Sequence, residues 1–168
     1  MIETDRLLIK PLTAEELKQA VNSPENFAKG LRLIPSHSLI DKETKKAIVN
    51  DLLPNIDNPS KDYIFYTMWL IIWKEKRAIV GGICFHGEPD ENGEVEIGYG
   101  TDIKYHNNGF MTEAIAGVIH WIQKNKNVNS IVAETDQSNF SSIKVLENNN
   151  FKKIRSVGAS LFLKIELK

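Results

Sequence analysis

A chain of 168 residues has the length of one ordinary domain, not two. Its 21 Lys+Arg against 22 Asp+Glu leave a formal net charge of -1, which removes the simplest electrostatic case for a nucleic-acid or membrane-surface binder. The single cysteine, Cys84, allows no internal disulfide, and the longest apolar run, residues 64–73, is far short of the ~20 residues that cross a bilayer.

In chain order, Met1-Ile2-Glu3-Thr4-Asp5 lacks the basic and apolar regions of a secretory signal, so a cytoplasmic protein is expected. Arg6-Leu7-Leu8-Ile9-Lys10 reads as a first strand, stopped by Pro11. Thr13-Ala14-Glu15-Glu16 has the form of a capping box: a hydroxyl at the helix start and a carboxylate that follows it by one turn. It predicts a helix to about Asn22. Pro24 and Gly30 bound a second short helical piece, and Asp41 caps a third that runs through Ala47-Ile48-Val49 and ends before Pro54.

Residues 63–73 are aromatic, β-branched and apolar on both faces, which predicts a strand covered on both sides. Residues 78–85 predict the next strand, 87–93 a hairpin loop, and 94–101 a further strand. From Gly109 the apolar period becomes helical, with Met111, Ala114, Ile115, Val118 and Ile122 on one face. Residues 130–135 predict a strand, 139–148 a helix, and 151–157 with 161–167 a closing strand pair around Gly158. Cys84, within Gly81-Gly82-Ile83-Cys84-Phe85, reads as a small buried hydrophobe and not a nucleophile. With no repeat, linker or low-complexity tract, residues 1–168 read as a single domain: one mixed sheet with helices on both faces.

The most informative stretch is 94–114: a strand, a short polar loop, then a strongly amphipathic helix. A helix start leaves backbone N–H groups unpaired and carries partial positive charge, so it can hold a phosphate without a basic side chain. Gly109 lets the backbone come close to a ligand there. By strict alternation Glu96 shares a face with Gly98 and Gly100, a face with little side-chain bulk and therefore room for a ligand. The histidines His37, His86, His106 and His120 are scattered, so each reads as an ordinary surface or core residue and no metal is expected.

This stretch resembles the acetyl-CoA pyrophosphate loop of the GNAT superfamily of N-acetyltransferases, whose pattern is Gln/Arg-x-x-Gly-x-Gly/Ala. Here it reads His106-Asn107-Asn108-Gly109-Phe110-Met111, continued by Thr112; Gly109 matches, His106 stands for Gln/Arg and Met111 for the small residue. Thr4-Asp5-Arg6-Leu7-Leu8-Ile9-Lys10-Pro11-Leu12 is similar to the opening strand of the branch related to ribosomal-protein N-terminal acetyltransferases. Residues 139–151 are similar to that branch's Asn-x-x-Ser-x-x-Val-Leu-Glu-x-x-Gly-Phe, with Asn150 in place of glycine. Asn is the next best residue for a left-handed helix terminus. The matches span nearly the whole chain in the right order.

The resemblance implies an α/β (α+β) fold of the acyl-CoA N-acyltransferase type, a mostly antiparallel sheet of about six or seven strands. It implies acetyl-CoA as acetyl donor and an amine acceptor, either a small molecule or a protein N-terminus, in a monomer or homodimer without nucleic-acid or membrane partners. Backbone groups of residues 106–112 are implied to hold the pyrophosphate, and Ile103 the pantetheine, which pairs like an added strand where strands splay apart. Asn139 is implied to hydrogen-bond the pantetheine arm, and by position it also caps its helix. The resemblance also implies a bulge in a strand like 94–101, an alternative to strict alternation that would reverse side-chain parity.

Glu96 is the expected general base, acting through water, with Glu94 and Glu134 as substitutes. Many relatives place a tyrosine on the helix after the last parallel strand; none lies between Asn139 and Phe151, so Ser142 is the group expected at the departing sulfur, chiefly positioning it. The acceptor wall is expected from the helices before Pro54 and from Tyr63, Tyr66 and Trp69. The runner-up reading is a non-catalytic acyl-CoA-binding module. A nucleotide-binding module is disfavoured, because Gly109 stands alone and not in a Gly-x-Gly-x-x-Gly or Walker pattern.

Overall fold

The computed structural model describes all 168 residues. Strands β1 (Ile2–Glu3), β2 (Leu7–Pro11), β3 (Met68–Trp73), β4 (Ala78–Phe85), β5 (Glu94–Thr101), β6 (Ser130–Asp136), β7 (Lys152–Val157) and β8 (Ser160–Glu166) form one sheet in the order β1-β2-β3-β4-β5-β6-β8-β7. Every neighbouring pair is antiparallel except β5 with β6. Eight strands stand where six or seven were expected; the addition is β1, whose two residues are too few to show a period.

Helices α1 (Ala14–Asn22), α2 (Pro24–Gly30), α3 (Lys42–Ala47) and α4 (Leu53–Ile56) precede β3; α5 (Phe110–Ile122) and α6 (Phe140–Asn148) flank β6. The Thr13–Glu16 capping box forms, and the Asp41 side chain accepts from the Thr44 N–H at 2.8 Å. Two expectations fail locally. Pro54 does not end the third helix: a π-helical turn, Ile48–Leu52, joins α3 to α4, and Pro54 sits in the first turn of α4, where its missing N–H costs no hydrogen bond. The strand expected at 63–73 starts only at Met68, because Asp62 caps a 3-10 turn over Tyr63–Phe65.

Strand β3 explains how the sheet is covered. Trp69 and Ile71 join one core with Ala114, Ile115, Val118 and Ile122 of α5 and Ile143 and Leu146 of α6. Met68, Leu70 and Ile72 join a second core with Leu17 of α1, Phe27 of α2 and Ile48, Leu52 and Ile56. Helices thus lie on both faces, as the two-sided apolar pattern requires.

The register of β3 with β4 shifts between Ile71 and Ile72, so Val80 is an extra residue on β4. Such a bulge moves every following side chain to the opposite face. Beyond it, Gly82, Cys84 and His86 look toward the α3–α4 side, and Ile83 and Phe85 toward α5. No shift interrupts β4 with β5. The bulge expected in 94–101 therefore lies on the neighbouring strand, and Glu96 keeps the face it shares with Gly98 and Gly100.

Candidate active site

Strands β5 and β6 pair only at Glu94–Ser130, Val95–Ile131 and Glu96–Val132. Beyond that point β5 pairs with β4 alone, from Ile97 to Thr101, and β6 with β8 alone, from Ala133 to Asp136. Two strand edges therefore face each other unpaired, and each offers backbone donors and acceptors to an extended ligand.

The loop at the end of β5 is built from side chains folded onto its own backbone. A His106 ring nitrogen lies 3.0 Å from the Thr101 carbonyl oxygen, and Asn108 donates to the Tyr105 and His106 carbonyls at 3.1 and 3.0 Å. Asn107 (φ 61°) and Gly109 (φ 73°) are left-handed, which turns the chain into α5. The N–H groups of Phe110, Met111 and Thr112 have no helical carbonyl behind them; the first bond, Glu113 N–H to Gly109 O, is 3.1 Å. Phe110 and Met111 turn their side chains into the core, Met111 against Gly81, which leaves the open helix start to backbone N–H groups. Thr112 contributes its carbonyl to Asn149 at 3.2 Å. The Ile103 N–H is already taken by Ser38 Oγ at 3.2 Å, while its side chain is 70% exposed beside the loop. Asp102, at the head of this loop, accepts from Ser36 Oγ at 2.6 Å; burial raises its carboxyl, but bonds from Ser36, the Lys104 N–H, Ser38 and the His37 N–H together hold it below the usual range.

The N-terminal segment braces the same loop. Glu113 accepts from Thr4 Oγ1 (2.6 Å), the Arg6 N–H (2.9 Å) and Arg6 Nε (2.6 Å), while Arg6 Nη1 donates to the Asn108 carbonyl at 3.0 Å. The guanidinium also lies over the Phe110 ring. Burial raises the Glu113 carboxyl, and the bonds from Thr4 and Arg6 more than offset it, so it stays below the ordinary glutamate value. A depressed folded value contributes stability above the ordinary carboxylate range that is lost as pH falls through the folded value. Glu113→Ala should cost about 1–3 kcal/mol at neutral pH, since it strands three donors. Denaturant titrations at falling pH should show the gap to wild type closing on the acid side.

On the opposite face, a cavity of about 620 Å3 lies between the α3–α4 segment and β4–β5. Leu39, Ile48 and Met68 supply apolar wall, Tyr66 and Asp51 stand at polar positions, and the bare Gly82, Gly98 and Gly100 form the floor. Of the aromatics expected here, only Tyr66 lines it; Tyr63 is exposed and Trp69 is in the α5 core. Burial pushes the Cys84 thiol up to about 12, so it is a neutral apolar wall group and not a nucleophile.

Glu96 sits beside this cavity with its Oε1 2.9 Å from His86 Nδ1. Glu94 is instead held by Lys164 at 2.9 Å, and Glu134 is exposed. Asn139 Oδ1 caps α6 by accepting from the Ser142 N–H at 3.1 Å. Ser142 Oγ lies 2.9 Å from the hydroxyl of Tyr99, which also reaches the Ser142 carbonyl at 3.1 Å. Burial pushes the Tyr99 phenol up to about 12, with the Ser142 bond acting the other way, so it keeps its proton at neutral pH. A tyrosine thus does stand at the serine, but it comes from β5 and not from α6. His86 and Tyr99 were missed because both depend on cross-strand register and sheet order, which spacing along the chain does not display.

This opened sheet beside a bare helix start is the acetyltransferase fold. An acetyltransferase of the GNAT family from Bacillus anthracis superposes with a TM-score of 0.66 at 19% identity, covering 99% of this chain and 98% of that one. RimL, a ribosomal L7/L12 alpha-N-protein acetyltransferase solved in complex with coenzyme A, superposes at 0.64 and 15% identity, covering 97% and 95%. In sequence, an uncharacterized N-acetyltransferase of Bacillus subtilis (strain 168), YjdG, is 37% identical over 86 residues, 51% of each chain. The Acetyltransferase (GNAT) domain model matches residues 6–152, and the chain belongs to that family. No helix is long and apolar enough to cross a membrane.

Proposed function

We propose that this chain moves an acetyl group from acetyl-CoA to a primary amine, on a protein N-terminus or a small molecule, by direct transfer in a ternary complex. The parting of β5 from β6 directly beside the open start of α5 carries this reading. The N–H groups of 110–112 hold the pyrophosphate, with Gly109 and Asn107 setting the turn and His106 and Asn108 stiffening it. The pantetheine lies along the free β5 edge past Ile103, within reach of the Asn139 amide. Its sulfur meets Ser142, whose hydroxyl, backed by Tyr99, donates to the departing thiolate. The amine enters from the cavity on the other side, toward Glu96 at the base end of the site. RimL, of the same fold, was solved in complex with coenzyme A, which supports a coenzyme A thioester as the donor.

Thiol release from acetyl-CoA, assayed against amines, peptides and free peptide N-termini, tests the reading. Turnover with at least one acceptor class is expected, and Ser142→Ala should lower kcat with little change in acetyl-CoA KM. Tight coenzyme A binding without thiol release against any acceptor would instead establish a non-catalytic binding module.

A further inference from the structure

We propose that His86, and not the Glu96 carboxylate itself, takes the proton from the acceptor amine, with Glu96 as the positioning residue that fixes its tautomer. The proposal rests on the transfer reading above. His86 follows β4 directly, and its backbone N–H bonds the Glu96 carbonyl at 2.9 Å, so the two residues stand opposite each other across the hairpin. Their side chains meet as well, Nδ1 to Oε1 at 2.9 Å. An ionised carboxylate only accepts hydrogen bonds, so this contact places the proton of the neutral ring on Nδ1 and leaves Nε2 with a free lone pair.

The direction of that lone pair is set by the missing side chain at position 98. A Cβ on Gly98 would stand 2.9 Å from Nε2, so the ring lies over the glycine, and His86, Gly98 and Gly100 together line the cavity. The Val80 bulge is what turns His86 to this face. The side chains of His86 and Glu96 are 53% and 36% exposed, so the ring can return its proton to water. The other ionisable groups that line the cavity with the ring are Tyr66, whose hydroxyl is bonded to Glu88 at 3.3 Å, Asp51 from the helical wall and the neutral Cys84. None of them lies within hydrogen-bond distance of either ring nitrogen, and Glu96 alone does.

In the step, the amine lone pair forms the N–C bond at the thioester carbonyl. The C–S bond breaks with its electron pair on sulfur, the amine proton passes to Nε2, and the thiolate takes a proton from the Ser142–Tyr99 hydroxyl pair, which solvent restores. Acetyl-CoA and an amine give an amide and the free thiol.

Two measurements test the assignment. In the long-range 1H–15N spectrum of the imidazoles, with His86→Gln identifying the signal, neutral His86 should be the Nδ1–H tautomer, opposite to the preference of the free amino acid. In kinetics, His86→Gln should lower kcat by about a hundredfold or more and abolish the acid limb of the kcat/KM profile. Glu96→Gln should keep that limb while lowering kcat, because the ring is no longer held as the Nδ1–H tautomer. Gly98→Ala, which displaces the ring without removing it, should lower kcat while leaving coenzyme A affinity unchanged. An Nε2–H tautomer, or an acid limb lost in Glu96→Gln and retained in His86→Gln, overturns the assignment while leaving acetyl transfer intact. Absence of thiol release by the wild type with every amine overturns both.

Discussion

Gly109→Val is expected to weaken coenzyme A binding by about ten- to a hundredfold, read by calorimetric titration. Gly109 holds φ at 73° at the head of α5, a region in which a β-branched residue is a true outlier and strain is about 1–3 kcal/mol. The effect is conformational and not a clash, because a Cβ there would meet only Arg6 Nη2, at an ordinary 3.6 Å. Relief of the strain re-aims the N–H groups of 110–112 and spoils the cradle. Asn tolerates the left-handed region far better, so Gly109→Asn should recover much of the affinity. Equal binding by the valine variant would place the pyrophosphate elsewhere.

The largest loss of stability is expected from Trp69→Ala. Trp69 is 1% exposed, packs its ring 4.8 Å from Trp121 and 6.4 Å from Phe85, and donates its indole N–H to the Ile64 carbonyl at 2.9 Å. Truncation removes the apolar burial and strands a carbonyl, which together should cost about 3–5 kcal/mol. Calorimetry should show Tm lower by about 6–20 °C for a chain of this size. Tyr63→Ala, at an exposed site in the same segment, should change stability by less than about 0.5 kcal/mol. Comparable losses in both would contradict the division between core and surface described for residues 63–69.

The order of elements was legible because strong local periods mark each one: the two-sided apolar β3, the helical stripe after Gly109, the capping residues Thr13, Asp41 and Asn139. What escaped has particular causes. Residues 63–65 are as apolar as the strand after them, so only the Asp62 cap gives away the 3-10 turn. A proline ends a helix unless it falls in a first turn, and the π-turn before Pro54 supplies one.

The site divides in the same way. The loop after β5 was readable as a glycine before an amphipathic helix, while its brace, Thr4 and Arg6 on Glu113, joins residues more than a hundred positions apart. That bond network makes the opening segment and the loop two halves of one clamp. The His86–Glu96 pair needed the hairpin register, and the Tyr99–Ser142 pair needed the gap between β5 and β6.

Glu94, Val95 and Glu96 are the only residues of β5 paired with β6, so the two ends of the sheet are stitched together by very little backbone. On the proposed reading, a donor molecule spanning the gap is a splint across this narrow seam, three residue pairs wide. By mass action such a splint adds about 2.7 kcal/mol at a hundredfold excess over Kd, a gain comparable to a buried side chain. On that reading the supply of acyl donor would set the durability of the protein as well as its work, with the starved chain the one most open to being unravelled.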